Sequence, residues 1–344
     1  MLNGKHGGND LALEIIYDFS ANISPLGMPE GVRQAAVDAV IASDRYPDPF
    51  CIGLRKKLGE KYCVPVDKIV CGNGADDLIY RTVSALRPKR ALIVSPAFSE
   101  YKKALSEVGC EVDDYILSEM NSFELTEEIL PHICGHDIVF LCTPNNPTGK
   151  IIASDVLGKI SRECERADTF LFCDESFIGF TGREKELSAL PFLNEKTIVI
   201  RSFTKLYAMA GLRLGCAVCG DKNTAEKITG TGQYWSVSSP AQAAGIAALD
   251  EEEYVCKATE IVRNEREYLQ NELNTLGVKS YPSDADFILL RADERLGEAL
   301  LREGILVRCC GDYSGLDGSF YRIAVKKHEE NEVFVSALRR CLNG

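Results

Sequence analysis

No stretch of this sequence approaches the roughly 20 consecutive apolar residues that span a bilayer. The opening, Met1-Leu2-Asn3-Gly4-Lys5-His6-Gly7-Gly8, also lacks the apolar core of a secretory signal. Both absences point to a cytoplasmic protein with no membrane partner. Positive charge is in deficit: the 344 residues carry a formal net charge of -12. A broad cationic surface of the kind that binds nucleic acid or anionic lipid is therefore excluded, while a few local Arg and Lys residues still suffice for a small anionic ligand. Internal repeats, low-complexity linkers and heptad arrays are missing. His132, His136 and His328 show no metal-ligand spacing.

Cysteine, by contrast, is plentiful, with 14 residues. Most lie inside apolar runs such as Phe140-Leu141-Cys142 and Phe172-Cys173, where a reduced thiol acts as a small hydrophobe. Cys216-Ala217-Val218-Cys219 has metal-ligand spacing, but a strand's period of two turns those thiols to opposite faces, and no second pair lies nearby. No metal is expected.

With 45% hydrophobic residues, the chain is long enough for two domains. From Lys68 onward, short apolar runs alternate with longer amphipathic stretches, the pattern of an α/β protein with a large, doubly wound, mostly parallel sheet. Strands are expected at 68–71, 91–94, 138–142, 169–173, 197–201 and 215–219, and helices at 75–86, 98–108 and 154–166. A long charged helix over 251–276 leads into an α+β pattern: strands at 287–291, 305–307 and 320–325, then a helix at 329–342. The expected division is an N-terminal arm over 1–28 packing with the small domain, a large domain over 29–245 and a small C-terminal domain over 246–344.

In an open α/β sheet, ligands bind beyond the carboxyl ends of the strands. Four strand ends stand out. Gly72-Asn73-Gly74-Ala75-Asp76-Asp77 opens a helix whose free amides suit a phosphate, although such glycine turns are common. Thr143-Pro144-Asn145-Asn146-Pro147 holds Asn146 in a proline-fixed turn. Asp174 places a carboxylate at the end of a buried run, as a ligand group or as half of a structural ion pair. Lys205, in Ser202-Phe203-Thr204-Lys205, is a candidate amine nucleophile, with Arg213 eight residues on.

These four motifs, in this order, resemble those of the aminotransferase class I/II superfamily, the fold type I pyridoxal-phosphate enzymes, over essentially the whole chain. The resemblance implies pyridoxal 5'-phosphate as cofactor and Lys205 as its Schiff-base lysine. It implies Asp174 on the pyridine nitrogen and Asn146 on the ring's 3-oxygen. Ser202, Arg213 and the amides around Gly74, Ala75 and Asp76 would hold the cofactor phosphate. Phe98 would stack on the ring, with Tyr101 able to share that role. Tyr46, in Arg45-Tyr46-Pro47-Asp48-Pro49, matches a tyrosine that reaches the partner's cofactor phosphate, which implies a homodimer with shared active sites.

The runs His6-Gly7-Gly8-Asn9, Asp18-Phe19-Ser20-Ala21-Asn22 and Gly315-Leu316-Asp317-Gly318 are similar to the threonine-phosphate decarboxylases of cobalamin biosynthesis. Phe177, where many aminotransferases carry tyrosine, agrees with that group, whereas Val307-Arg308-Cys309-Cys310 matches it only in part. The resemblance implies His6, Asn22, Arg308 and Arg322 as contacts for a small amino-acid phosphate substrate. Its alternatives are an aminotransferase of histidinol-phosphate type using 2-oxoglutarate and glutamate, and a non-catalytic regulator that binds the cofactor.

Overall fold

The computed structural model describes residues 15–343. Strands β1 (Tyr17–Asp18), β2 (Ile69–Gly72), β3 (Arg90–Ser95), β4 (Glu111–Ile116), β5 (Ile138–Cys142), β6 (Phe170–Asp174), β7 (Thr197–Ser202) and β8 (Gly215–Cys219) precede the long helix Glu252–Thr275. Beyond it come β9 (Lys279–Ser280), β10 (Phe287–Arg291), β11 (Ile305–Leu306), β12 (Arg308–Cys309), β13 (Phe320–Ala324) and the helix His328–Asn343.

Seven strands form one sheet in the order β2-β8-β7-β6-β5-β3-β4. Strands β3 to β7 run parallel, and β8 is antiparallel to both β2 and β7. Every residue of β5 and β8 is buried, which requires apolar side chains on both faces. Alternation divides them: Phe140 and Phe172 pack with Leu78 and Ile93 on one face, while Leu141 and Cys173 pack with Leu157 and Ile160 on the other. Each such large side chain contributes about 1.5–3 kcal/mol by leaving water. Cys216 and Cys219 lie in separate clusters on opposite faces, as the period of two requires. All the cysteines are free thiols.

The second sheet, β12-β13-β10-β9, is antiparallel and is covered by the helices Glu252–Thr275 and His328–Asn343 through Leu269, Leu273, Phe334 and Leu338. Strand β1 pairs in parallel with β11, and the next residue, Phe19, is fully buried in the same cluster. This carries Ser20 and Asn22 from the N-terminal segment to the gap between the two sheets.

The sequence pattern misses the two-residue strands β1, β9 and β12 and, within the seven-stranded sheet, one longer strand. β4 reads Glu-Val-Asp-Asp-Tyr-Ile, is only half-buried and lies at the sheet edge, where it pairs with β3 alone. A one-sided edge strand has no continuous apolar run to betray it.

Glu119, just beyond β4, ties the two sheets together. Its carboxylate accepts hydrogen bonds from Lys279 Nζ and Tyr281 Oη, each at 2.5 Å, and from Arg291 Nη1 at 3.0 Å. The bonds from Lys279 and Tyr281 lower its pKa from 4.5 to about 2. A carboxyl depressed in the folded state stabilises above its ordinary value and loses that contribution as pH falls from about 4.5 toward 2. Lys279 and Arg291 are largely exposed, so screening limits the net gain to about 1 kcal/mol. Glu119→Gln should therefore cost about that much in urea unfolding at pH 7. The difference from the parent protein should vanish near pH 2.

Candidate active site

The carboxyl ends of β5, β6 and β7 open into a cavity of about 530 Å³ between the two sheets. It brings together Asn22, Ala75, Asp76, Phe98, Asn146, Asp174, Ser202, Lys205, Arg213, Arg308 and Arg322. Gly74 borders it through the Arg213 side chain. Tyr46 does not line the cavity of its own chain: it is 78% exposed and stacks on Trp235 at 4.3 Å. His6 lies outside the described residues.

Lys205 follows the end of β7 by three residues. Its amine makes no hydrogen bond or ion pair with the described residues and opens on the cavity. Burial lowers its pKa, and Arg322 and Arg213 lower it further against the opposing pull of Asp286 and Asp76. A buried lysine among guanidiniums is a stronger nucleophile at neutral pH than one on the surface.

Asp174 closes β6 and is 5% exposed. One oxygen accepts from Tyr101 Oη at 2.6 Å and the other from the Ser176 amide at 2.9 Å. Burial raises its pKa, offset in part by those two hydrogen bonds. An anion held this way favours a ligand that brings a proton or a positive charge. The structural ion pair belongs instead to its neighbour Glu175, which is fully buried and meets Arg201 Nη2 at 2.7 Å. Adjacent residues of an extended chain point in opposite directions, which gives Asp174 to the cavity and Glu175 to the scaffold.

Tyr101, named beside Phe98 for a stacking role, also lines the cavity. It is 1% exposed, packs against Phe140 at 5.2 Å, and spends its hydroxyl on Asp174. Phe98 remains at the cavity wall, edge-on to Tyr101 at 5.8 Å. Sequence reasoning missed Tyr101 as the residue that orients Asp174 because the two lie 73 positions apart.

On the opposite wall, the helix Ala75–Leu86 begins at Gly74, whose φ of +89° and ψ of 172° suit glycine alone. Arg213 lies across this turn and meets Asp76 at 3.2 Å. A Cβ at Gly74 would sit 2.6 Å from Arg213 Nη2. Ser202 and Thr204 share a hydroxyl–hydroxyl bond of 2.6 Å beside it. Two hydroxyls, a forked guanidinium and the free amides of a helix start form a cradle for a phosphate.

The third wall comes from the small sheet. Arg322 donates to Asn146 Oδ1 and to the Ser20 carbonyl, both at 2.6 Å, and its Nε has no partner among the described residues. Asn146 thus accepts through Oδ1 and keeps its Nδ2 donors for a ligand. Arg308 and Arg322 are directly paired across β12 and β13. Arg308 Nη2 is partly neutralised by Asp312, at 2.8 and 2.9 Å from its two oxygens. Asn22 is 3% exposed and its Oδ1 has no partner among the described residues.

Residues 14–338 match the family described as aminotransferase class I and II. The chain is 36% identical to the threonine-phosphate decarboxylase of Salmonella typhimurium, across 100% of this chain and 98% of that one. It is 33% identical to the histidinol-phosphate aminotransferase of Methanosarcina mazei, across 94% of this chain and 88% of that one. Among solved structures, the histidinol-phosphate aminotransferase from Clostridium acetobutylicum superposes with a TM-score of 0.90 at 30% identity, covering 95% of this chain and 99% of its own. The chain belongs to the aminotransferase class I and II family of pyridoxal-phosphate enzymes.

Proposed function

We propose that the protein decarboxylates an O-phosphorylated amino acid of threonine-phosphate type, which gives it a place in cobalamin biosynthesis and in the cytoplasm. The observation that carries this reading is the facing pair Arg308 and Arg322 in the cavity that also holds Lys205. Like charges directly opposite one another across two strands destabilise the pair, and a phosphate between them removes that cost. Full-length similarity to the Salmonella decarboxylase supports it, as does Phe177, which packs edge-on against Phe287 at 5.0 Å and offers the cavity no hydroxyl.

The residues present fit pyridoxal phosphate. Ser202, Thr204, Arg213 and the amides of Gly74, Ala75 and Asp76 would hold its phosphate. Asp174 would hold its ring nitrogen, Asn146 its ring oxygen, and Phe98 one face of the ring. When bound, the cofactor supplies a carbonyl that captures a substrate amine and a ring that takes up the electron pair left when a bond to the α-carbon breaks.

The chain's own groups decide which bond that is. A substrate group clamped by Arg308 and Arg322 is held in place and is not the one that leaves. If they hold the distal phosphate, the carboxylate is free to depart as carbon dioxide, and Lys205 Nζ delivers a proton to the α-carbon in its place. If they hold the carboxylate instead, Lys205 removes the α-proton, which is the start of transamination. Similarity to histidinol-phosphate aminotransferases in sequence and in fold supports this second reading.

Tyr46, Phe50, Tyr234 and Trp235 form an exposed aromatic patch. In our reading a second copy of the chain covers it and brings Tyr46 to the partner's cofactor phosphate.

Three outcomes test this account. Threonine phosphate alone should release carbon dioxide; glutamate formation from histidinol phosphate and 2-oxoglutarate, without that release, would overturn the decarboxylase in favour of the aminotransferase. Arg308→Met should lower kcat/KM for threonine phosphate on the order of 10²-fold, the scale of losing one partner of a buried charge contact, with little change in cofactor affinity. Gly74→Ala should weaken pyridoxal phosphate about tenfold, since it forces a Cβ into a glycine-only conformation that costs about 1–3 kcal/mol and displaces Arg213. Absorbance titration reads that loss, and unchanged circular dichroism would show that the fold is kept.

A further inference from the structure

Tyr313 has no part in the site described so far, yet it lines the same cavity as Arg308 and Arg322. It lies on the connection between β12 and β13, the two strands that carry those arginines. The Arg308 guanidinium lies 5.2 Å from the centre of its ring. Its neighbours on both sides are fixed. Asp312 holds Arg308 Nη2, and Ser314 Oγ accepts from Lys102 Nζ at 2.6 Å. Lys102, on the helix Ser99–Glu107, also donates to Asp114 of β4 at 2.6 Å. The connection is thus pinned to the arginine at one point and to the large sheet at the next.

Packing accounts for the ring of Tyr313, which is 8% exposed and joins the apolar cluster of Leu117, Phe123 and Phe320. It does not account for the hydroxyl. That group makes no hydrogen bond with the described residues, and a hydroxyl taken from water without a partner destabilises a fold. A phenylalanine would fill the same apolar space without that penalty. Burial raises the pKa of the hydroxyl, against the opposing pull of Arg322 and Arg308, so at neutral pH the group is a donor. Arg322 Nε, on the strand that follows, is a second donor without a partner among the described residues.

A carboxylate presents two coplanar oxygens, which the fork of a single guanidinium engages in full. A phosphate monoester presents a third terminal oxygen, and a neutral donor beside the guanidiniums is a fitting partner for it. We propose that Tyr313 is a specificity-determining residue: its hydroxyl donates to the third oxygen of a phosphate held by Arg308 and Arg322, and so sets the preference of this end of the cavity for phosphate over carboxylate. The inference rests on the reading of Arg308 and Arg322 as the clamp for the anionic end of the substrate.

Isothermal titration of the holoenzyme with propyl phosphate and with butyrate tests it, since neither ligand carries an amine and neither measurement needs turnover. Tyr313→Phe should weaken propyl phosphate about tenfold, the scale of one hydrogen bond to a charged group, and butyrate by less than about twofold. An equal loss for the two ligands, or a loss below about twofold for propyl phosphate, would overturn the proposal. If that variant does not fold, 3-fluorotyrosine in place of Tyr313 supplies a ¹⁹F signal that should shift with propyl phosphate and stay with butyrate. A signal unmoved by propyl phosphate, or moved equally by both, would overturn the proposal as well. A failure of the clamp reading is distinguishable, because propyl phosphate would then bind Arg308→Met as tightly as the parent protein, whatever Tyr313→Phe shows.

Discussion

A carboxylate carried into the interior at the end of a buried strand must be met by donors or by positive charge, and the arrangement around Asp174 follows from that requirement. Strand β6 is apolar on both faces because the sheet is covered on both sides, so its terminal aspartate arrives where water is scarce. Tyr101 and the Ser176 amide satisfy its two oxygens but bring no charge. The cations gather above it instead, as Lys205, Arg213, Arg308 and Arg322 on the walls of one cavity. That cavity is built for a ligand that is cationic at one point and anionic at others, as a protonated pyridine ring with a phosphate arm and a phosphorylated substrate are.

The scaffold keeps this arrangement by separating roles between neighbours. Asp174 faces the ligand and Glu175 faces Arg201, so a single strand end supplies both a reactive carboxylate and a buried ion pair that fixes it to β7. Breaking such a pair from one side leaves an uncompensated charge, which costs about 3–5 kcal/mol. The same division appears at β13, where Arg322 reaches across to Asn146 and Ser20 while the neighbouring Tyr321 turns its hydroxyl to the carbonyls of Asp293 and Glu294.

What could be read from the sequence was what lies close along the chain. The buried strands and the turns that end them show as apolar runs closed by Asn146, Asp174 and Lys205, because a strand covered on both faces leaves no other pattern. The glycine turn at Gly74 was visible for the same local reason. What stayed hidden depends on meetings between distant residues. Tyr101 reads as a second aromatic beside Phe98, and only the fold brings its hydroxyl to Asp174. Nothing along the chain shows that Arg322 also holds Asn146 and the Ser20 carbonyl. Strand β4 was lost because its outer face is wet.

The central claim is that the strand ends converge on Lys205 as the residue that bears the cofactor. Loading the protein with pyridoxal phosphate, reducing with borohydride and mapping the peptides tests it most directly. The account predicts the phosphopyridoxyl mass on the peptide that contains Lys205. The same mass on another lysine, with Lys205 unmodified, would contradict it.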